Sequence, residues 1–262
     1  MTGVRRARRL GVPATQSARR LLADRGGLVF SVVFYVVVVS ALSGLWRAAA
    51  GHAPVAGYSA VALTWYIATS EAAICAIQIR LIEEIGDDIA AGTVAVELLR
   101  PLSVVAVRIA MQSGRALARL ACLIACGAVL ALLVAGRPPD GGAALLAVPS
   151  LVLAVAANVS LQHAVAAMAF WVRDARSAWF IYQKFIFILG GMLLPLEVLP
   201  SALHTVALRL PFMAMAYAPA RLASGHFEPG LLLVQAAWLV VVLGAATAAF
   251  AAGQRRLQVV GG

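Results

Sequence analysis

Six stretches of this chain are each long and apolar enough to cross a hydrocarbon core of about 30 Å, a distance that takes roughly 20 helical residues. They are Leu28–Trp46, Gly57–Ile79, Leu117–Ala135, Ala143–Val172, Ser177–Leu199 and Leu231–Ala252. Composition agrees. Hydrophobic residues make up 63% of the 262 and charged residues 12%, against about 45–50% and about 25% in soluble domains. The expected fold is all-α, a polytopic membrane protein with six transmembrane helices in a single domain over residues 1–262. The first apolar run is longer than a signal-peptide core of roughly 7–15 residues, which favours a retained anchor. The fourth is too long for a perpendicular span. It tilts or projects from the bilayer, with Pro149 placed to kink it near its outer end.

Charge sets the expected orientation. With both termini in the cytoplasm, sixteen of the 21 Lys and Arg residues fall on cytoplasmic segments, and only Arg47, Arg137, Arg209 and Arg221 fall outside. That excess follows the positive-inside rule, and it explains the net charge of +10 without nucleic acid. Lys184, the one lysine, lies inside the fifth run. Residues 1–27 make a cytoplasmic amphipathic segment. Ala14, Ala18, Leu21 and Leu22 share one helical face, and Gln16, Arg19, Arg20, Asp24 and Arg25 take the other, as in a helix lying on the membrane interface. Met1–Val12 reads as a disordered basic tail, and Gly26-Gly27 as the bend into the bilayer.

Four of the eleven acidic residues crowd into six positions, Glu83, Glu84, Asp87 and Asp88, on the longest expected cytoplasmic connection. Ile82, Ile85 and Ile89 recur at i, i+3, i+7. This spacing predicts a short amphipathic helix with the acids on its polar side, weakened by Gly86 and ended by Gly92. Pro101 stops a second segment, Thr93–Arg100. A solvated acidic face and a docking surface for a soluble partner both fit this pattern.

Two longer patterns narrow the choice. Glu84-Ile85-Gly86-Asp87-Asp88-Ile89-Ala90-Ala91-Gly92-Thr93, followed by Leu98-Leu99-Arg100-Pro101-Leu102-Ser103, resembles the cytoplasmic loop of permease subunits of type-2 ATP-binding-cassette (ABC) exporters. Gly190-Gly191-Met192-Leu193-Leu194-Pro195-Leu196-Glu197-Val198-Leu199-Pro200, then Leu210-Pro211-Phe212 and Tyr217-Ala218-Pro219, is similar to that family's pattern between the fifth and sixth spans. The resemblance covers nearly the whole chain. It implies that the region 80–103 contains a coupling helix seated in a separate ATPase, a role falling on Ile82, Glu83, Glu84, Gly86, Asp87, Asp88 and Gly92. Arg100 contacts either the ATPase or lipid headgroups. It also implies short helices re-entering the outer leaflet, two ATPase copies per complex, and a second permease that is this chain or a paralogue. The chain has no G-x4-G-K-[ST] phosphate loop, so ATP and Mg²⁺ are expected on the partner, with no cofactor here and no enzymatic role.

Glu71 and Lys184 are ionisable residues inside apolar runs, where a charge costs roughly 2.5–3.5 kcal/mol on insertion scales. Their expected depths match. They pair, face a shared cavity, or are satisfied separately. An ion-coupled secondary transporter built on them is the alternative function. Gln162 and His163, midway along the fourth run, are expected to bond between helices. Trp65, Tyr66, Phe180, Tyr182 and Phe185 either line a route for a lipophilic substrate or pack the core; among these, Tyr66 and Tyr182 join Glu71 and Lys184 as translocation-path candidates. Asp87-Asp88 lacks the further aspartates of a membrane phosphatidyl transferase, and the histidines are too scattered for a hydrolase. Twenty arginines to one lysine, with abundant alanine, suggest a GC-rich bacterial source and hence the inner membrane.

Overall fold

The computed structural model of the chain describes residues 2–50, 53–78, 80–94, 103–138, 141–172 and 176–260. His52, Ile79, Arg100, Pro101, Asp140 and Arg173 lie outside the described residues, as does most of the Leu98–Ser103 signature. The described residues form helices and the turns between them, and contain no strand. Helix α1 spans Thr2–Ala23 and α2 spans Arg25–Ala50; α3 is Ala60–Cys75 and α4 is Leu81–Ala90. Next come α5 (Val104–Ala135) and α6 (Gly141–Ala166), which a 3₁₀ turn extends to Phe170. The short α7 (Arg176–Ile188) leads into a broken connection containing α8 (Ser201–Ala207) and α9 (Tyr217–Ala223), and α10 (Gly230–Val260) closes the fold.

Among the described residues, four helices are long and apolar enough to cross a membrane: Arg25–Ala49, Val104–Ala135, Gly142–Phe170 and Gly230–Arg256. The windows 57–79 and 177–199 are not continuous helices. α3 has 16 residues and α7 has 13, both under the roughly 20 that a perpendicular crossing takes. α7 ends because Leu189 and Gly190 both donate to the Phe185 carbonyl and Gly191 turns left-handed, at φ +70°. A side chain at that φ is strained, and a Cβ there would also lie 2.8 Å from the Tyr66 hydroxyl.

The turn after α7 runs beside the middle of α3, not beyond its end. Three successive carbonyls there accept hydrogen bonds from side chains of α2 and α3. Tyr66 donates to Gly191 at 2.6 Å, Ser70 to Met192 at 3.0 Å, and Trp46 Nε1 to Leu193 at 3.0 Å. Backbone that leaves the helix inside an apolar bundle is tolerated only when protein groups satisfy it in this way. α3 is buried on nearly every side from Leu63 to Ala73, as expected of a helix that is apolar all round. It packs against α2, α5, α6 and α9, while α6 packs against α10, α9, α5 and α4. Gln235 of α10 bonds across to α6 through the Ser150 hydroxyl (2.8 Å) and to the Ala214 carbonyl (2.7 Å).

Two expectations about the N-terminal half change. α1 is helical from Thr2, through Pro13, so the first residues are not an irregular tail. It breaks from α2 only at Asp24, whose carboxylate accepts from the Gly27 amide at 3.2 Å. Asp24 thus caps α2, and Gly26-Gly27 sit within its first turn. α5 begins thirteen residues earlier than its apolar run. Its 32 residues make about 48 Å of helix at 1.5 Å per residue, some 18 Å more than the hydrocarbon core. α1 packs along α5 instead of resting on lipid alone, and the crossing point is Gly114: a Cβ there would lie 2.2 Å from the Ala14 carbonyl oxygen.

Replacing a helix-interior glycine by alanine ordinarily stabilises by about 1 kcal/mol. The α1–α5 contact reverses that sign. Gly114→Ala is expected to lower the thermal unfolding midpoint of the detergent-solubilised protein through overpacking worth about 1–3 kcal/mol. Gly244→Ala, in α10 with nothing within 4 Å of its added Cβ, is expected to leave the midpoint unchanged or raise it.

Candidate functional site

α4 forms where the isoleucine spacing places it. Leu81, Ile82, Ile85 and Ile89 are buried against the turn Ala167–Phe170 and the neighbouring ends of α6 and α7. Gly92, at φ +73°, ends the turn, its amide bonding the Ile89 carbonyl at 3.1 Å. The acids do not form one uniform face. At about 100° per residue, Glu83, Glu84 and Asp87 all point away from the isoleucines and Asp88 lies on a flank, yet only Glu84 and Asp87 are exposed. Glu83 and Asp88 are taken up by partners within the chain. Glu83 is 8% exposed and pairs with Arg80 at 2.5 Å, and Asp88 pairs with Arg108 of α5 at 2.8 Å. Glu84 accepts from the Gln78 amide. Partial burial pushes the Glu84 carboxyl above its usual range, Asp88 and Asp87 add to this, and Arg115 and Arg80 pull against it. Gly86 is buried on the inner side. Arg100 lies outside the described residues.

A cavity of about 270 Å³ opens between α2, α3, α6 and α7. Glu71 and Tyr182 line it, with Asn158 and Gln162 of α6. Tyr182 donates to Asn158 Oδ1, and Gln162 Nε2 donates to the same oxygen at 2.8 Å. Glu71 is 1% exposed; its Oε1 has no hydrogen-bond partner among the described residues, and Oε2 receives only a long contact from Cys75 Sγ at 3.9 Å.

The other two path candidates go elsewhere. Lys184 forms no pair with Glu71 and does not line the cavity. Its Nζ sits 4.9 Å from the Phe180 ring centroid and 5.9 Å from that of Phe187. Helical phase explains the separation, because on α7 Lys184 lies about 200° from Tyr182. Tyr66 is fully buried, its hydroxyl spent on the Gly191 carbonyl. Gln162 bonds to Asn158 in its own helix and also reaches the Tyr182 hydroxyl of α7, whereas His163 stays within its helix, donating from Nδ1 to the Val159 carbonyl at 2.8 Å. The bond from α6 to α10 falls instead to Gln235.

The end of the bundle where α3 begins holds a polar network that sequence reasoning missed. Arg221 of α9 pairs with Glu197 and with Glu228, the latter at 2.7 Å, and donates to the Tyr58 hydroxyl at 2.7 Å. Tyr217 donates to Glu197 at 2.6 Å. These bonds fasten both ends of the broken connection to the start of α3. The one available signal was Glu197, the lone charge inside the Gly190–Pro200 motif. Burial works to lower the Arg221 guanidinium, but the Glu228 bond and the neighbouring Tyr217, Tyr58 and Glu197 outweigh it, and it is held above its usual value. His226 lies tilted against Tyr58, ring centroids 4.6 Å apart, and its Nδ1 lies 3.0 Å from the Ser224 hydroxyl. Burial, then Arg221, pushes the His226 imidazole down, with Glu228 and Glu197 opposing.

A lowered histidine means the fold favours the neutral ring. Its stabilisation is complete above the unfolded value of about 6.5 and fades as pH falls through the lower folded value. The thermal midpoint is therefore expected to drop between pH 8 and pH 5.5, and the drop should be smaller in His226→Gln.

The sequence model of a family described as ABC-2 family transporter protein matches residues 48–261, a span that contains α3 to α10, both signature regions and the cavity-lining carboxyl. No curated protein matches the chain.

Proposed function

The chain belongs to the ABC-2 family of transporter proteins, a multi-pass membrane permease, and from that premise we propose that it is the membrane-spanning subunit of an ATP-driven exporter. A separate ABC ATPase docks on α4 and drives the cycle. The observation that carries this reading is the arrangement of α4. Its isoleucines anchor it to α6, α7 and the Ala167–Phe170 turn, while Glu84 and Asp87 are left facing outward. A helix gripped by the ends of two others transmits a push at its acidic face into the bundle. Opposite charge on the ATPase would give docking its specificity and on-rate.

In this assembly two ATPase copies act on two permeases, each this chain or a paralogue, and ATP and Mg²⁺ reside on the ATPases. Both termini face the cytoplasm of a bacterial inner membrane, as the arginine distribution supports. α3 and α7 stand at the second and fifth span positions, with α8 and α9 as the short helices of the outer leaflet. Reaching the expected six crossings then relies on the irregular residues flanking α3 and α7. The ion-coupled alternative built on Glu71 and Lys184 loses its main support, since Lys184 lies over aromatic rings and away from Glu71.

Reversing Glu84 and Asp87 together to Lys is expected to abolish salt-sensitive co-purification with the ATPase and permease-stimulated ATP hydrolysis. Membrane insertion and thermal midpoint should stay near wild type, because both residues are exposed and the reversal costs only the Gln78–Glu84 hydrogen bond. Unchanged ATPase binding by the double variant would overturn the docking role of α4.

A further inference from the structure

We infer that the cavity between α2, α3, α6 and α7 binds a lipophilic organic cation, with Glu71 as counter-charge and aromatic rings as its walls. This rests on the transporter reading above and adds a ligand class to it. The lining is overwhelmingly apolar, and the rings of Phe34, Trp179, Tyr182 and Phe187 contribute to it. The carboxyl of Glu71 is the sole carboxyl among the lining residues. It is buried, and one of its oxygens has no hydrogen-bond partner. An ionised carboxylate in such surroundings is costly unless a cation pairs with it, and no cation among the described residues does so.

A bulky cation with a dispersed charge meets both halves of this lining. It gains apolar burial, attraction to the ring faces and an ion pair with Glu71. One ring of this wall already lies near a cation, since Lys184 Nζ is 5.9 Å from the centroid of Phe187, which lines the cavity. Positive groups stand nearby without filling the role. Arg80 and Arg119 line an adjoining cavity of about 350 Å³, and Arg80 is paired with Glu83 at 2.5 Å. Phe34 is 46% exposed on the outward side of α2, so the cavity has a wall reachable from the lipid. A membrane-partitioned cation needs no aqueous entrance.

The test is equilibrium binding to the purified full-length chain in lipid nanodiscs, with empty nanodiscs as baseline and no ATP present. The probe is tetraphenylphosphonium, compared with tetraphenylborate, which has the same shape and opposite charge. Saturable binding of the cation only is expected. Glu71→Gln should weaken it about tenfold or more, equivalent to roughly 1.4 kcal/mol, and Phe34→Ala several-fold. Phe227→Ala, exposed and outside the cavity, should leave it unchanged. Equal affinity in Glu71→Gln, absence of saturable cation binding, or equal binding of tetraphenylborate would each overturn the inference. If Glu71→Gln fails to fold, Phe34→Ala and the cation-to-anion ratio decide it. Since no ATPase takes part, cation binding combined with an intact ATPase interaction in the Glu84/Asp87 reversal would overturn the docking reading alone.

Discussion

The fold depends on how three carbonyls, those of Gly191, Met192 and Leu193, are satisfied. α7 stops alongside the middle of α3, in a region where an unpaired carbonyl costs several kcal/mol. Tyr66, Ser70 and Trp46 supply the missing donors. With those bonds made, the chain can turn back inside the bundle and place α8 and α9 against their neighbours, α9 on α3 and α6. Without them a straight helix would be the cheaper path, and neither the broken connection nor the polar network at its ends would exist. α3 is the element that makes this possible. It is short, buried on nearly all sides, and carries donors at the depth where the turn needs them.

Burial of α3 also links the two ends of the molecule. At its start, Tyr58 joins the Arg221–Glu197–Glu228 network that fastens the broken connection. After its end, the chain turns through Ala76 and Ile77 into α4, seated under α6 and α7. Between these points, Glu71 faces the cavity lining. A displacement of α4 is therefore mechanically close to the cavity and, through one rigid helix of 16 residues, to the network at the far end. In the proposed transport cycle this is a direct physical route from the ATPase-docking helix to the network at the other end of α3.

The close approach of α1 to α5 at Gly114 serves a different end. α5 outruns the hydrocarbon thickness by about 18 Å, and the excess would otherwise stand alone in water with an apolar stripe. α1 covers it. The arginines of α5 are helical residues, and Arg108 reaches the flank of α4 to pair with Asp88.

Much of this architecture is legible in the sequence. The apolar runs produced the four long helices, because twenty continuous apolar residues have few other soluble or membrane fates. The isoleucine period of α4 and its glycine stop emerged intact, because both are local backbone and burial effects. The two signature regions identified the family. Tertiary structure decided what local pattern does not encode. Whether an apolar run continues or turns depends on donors from a different helix, so Ile188 ended α7 and Leu199 did not. Which of four neighbouring acids stays outward depends on partners as distant as Arg108. Lys184 and Glu71 matched in depth along the chain yet parted, because helical phase set them on different sides of α7. Sequence supplies period and polarity; only packing supplies the partner, since a buried polar group is satisfied by whatever the fold brings within about 3 Å.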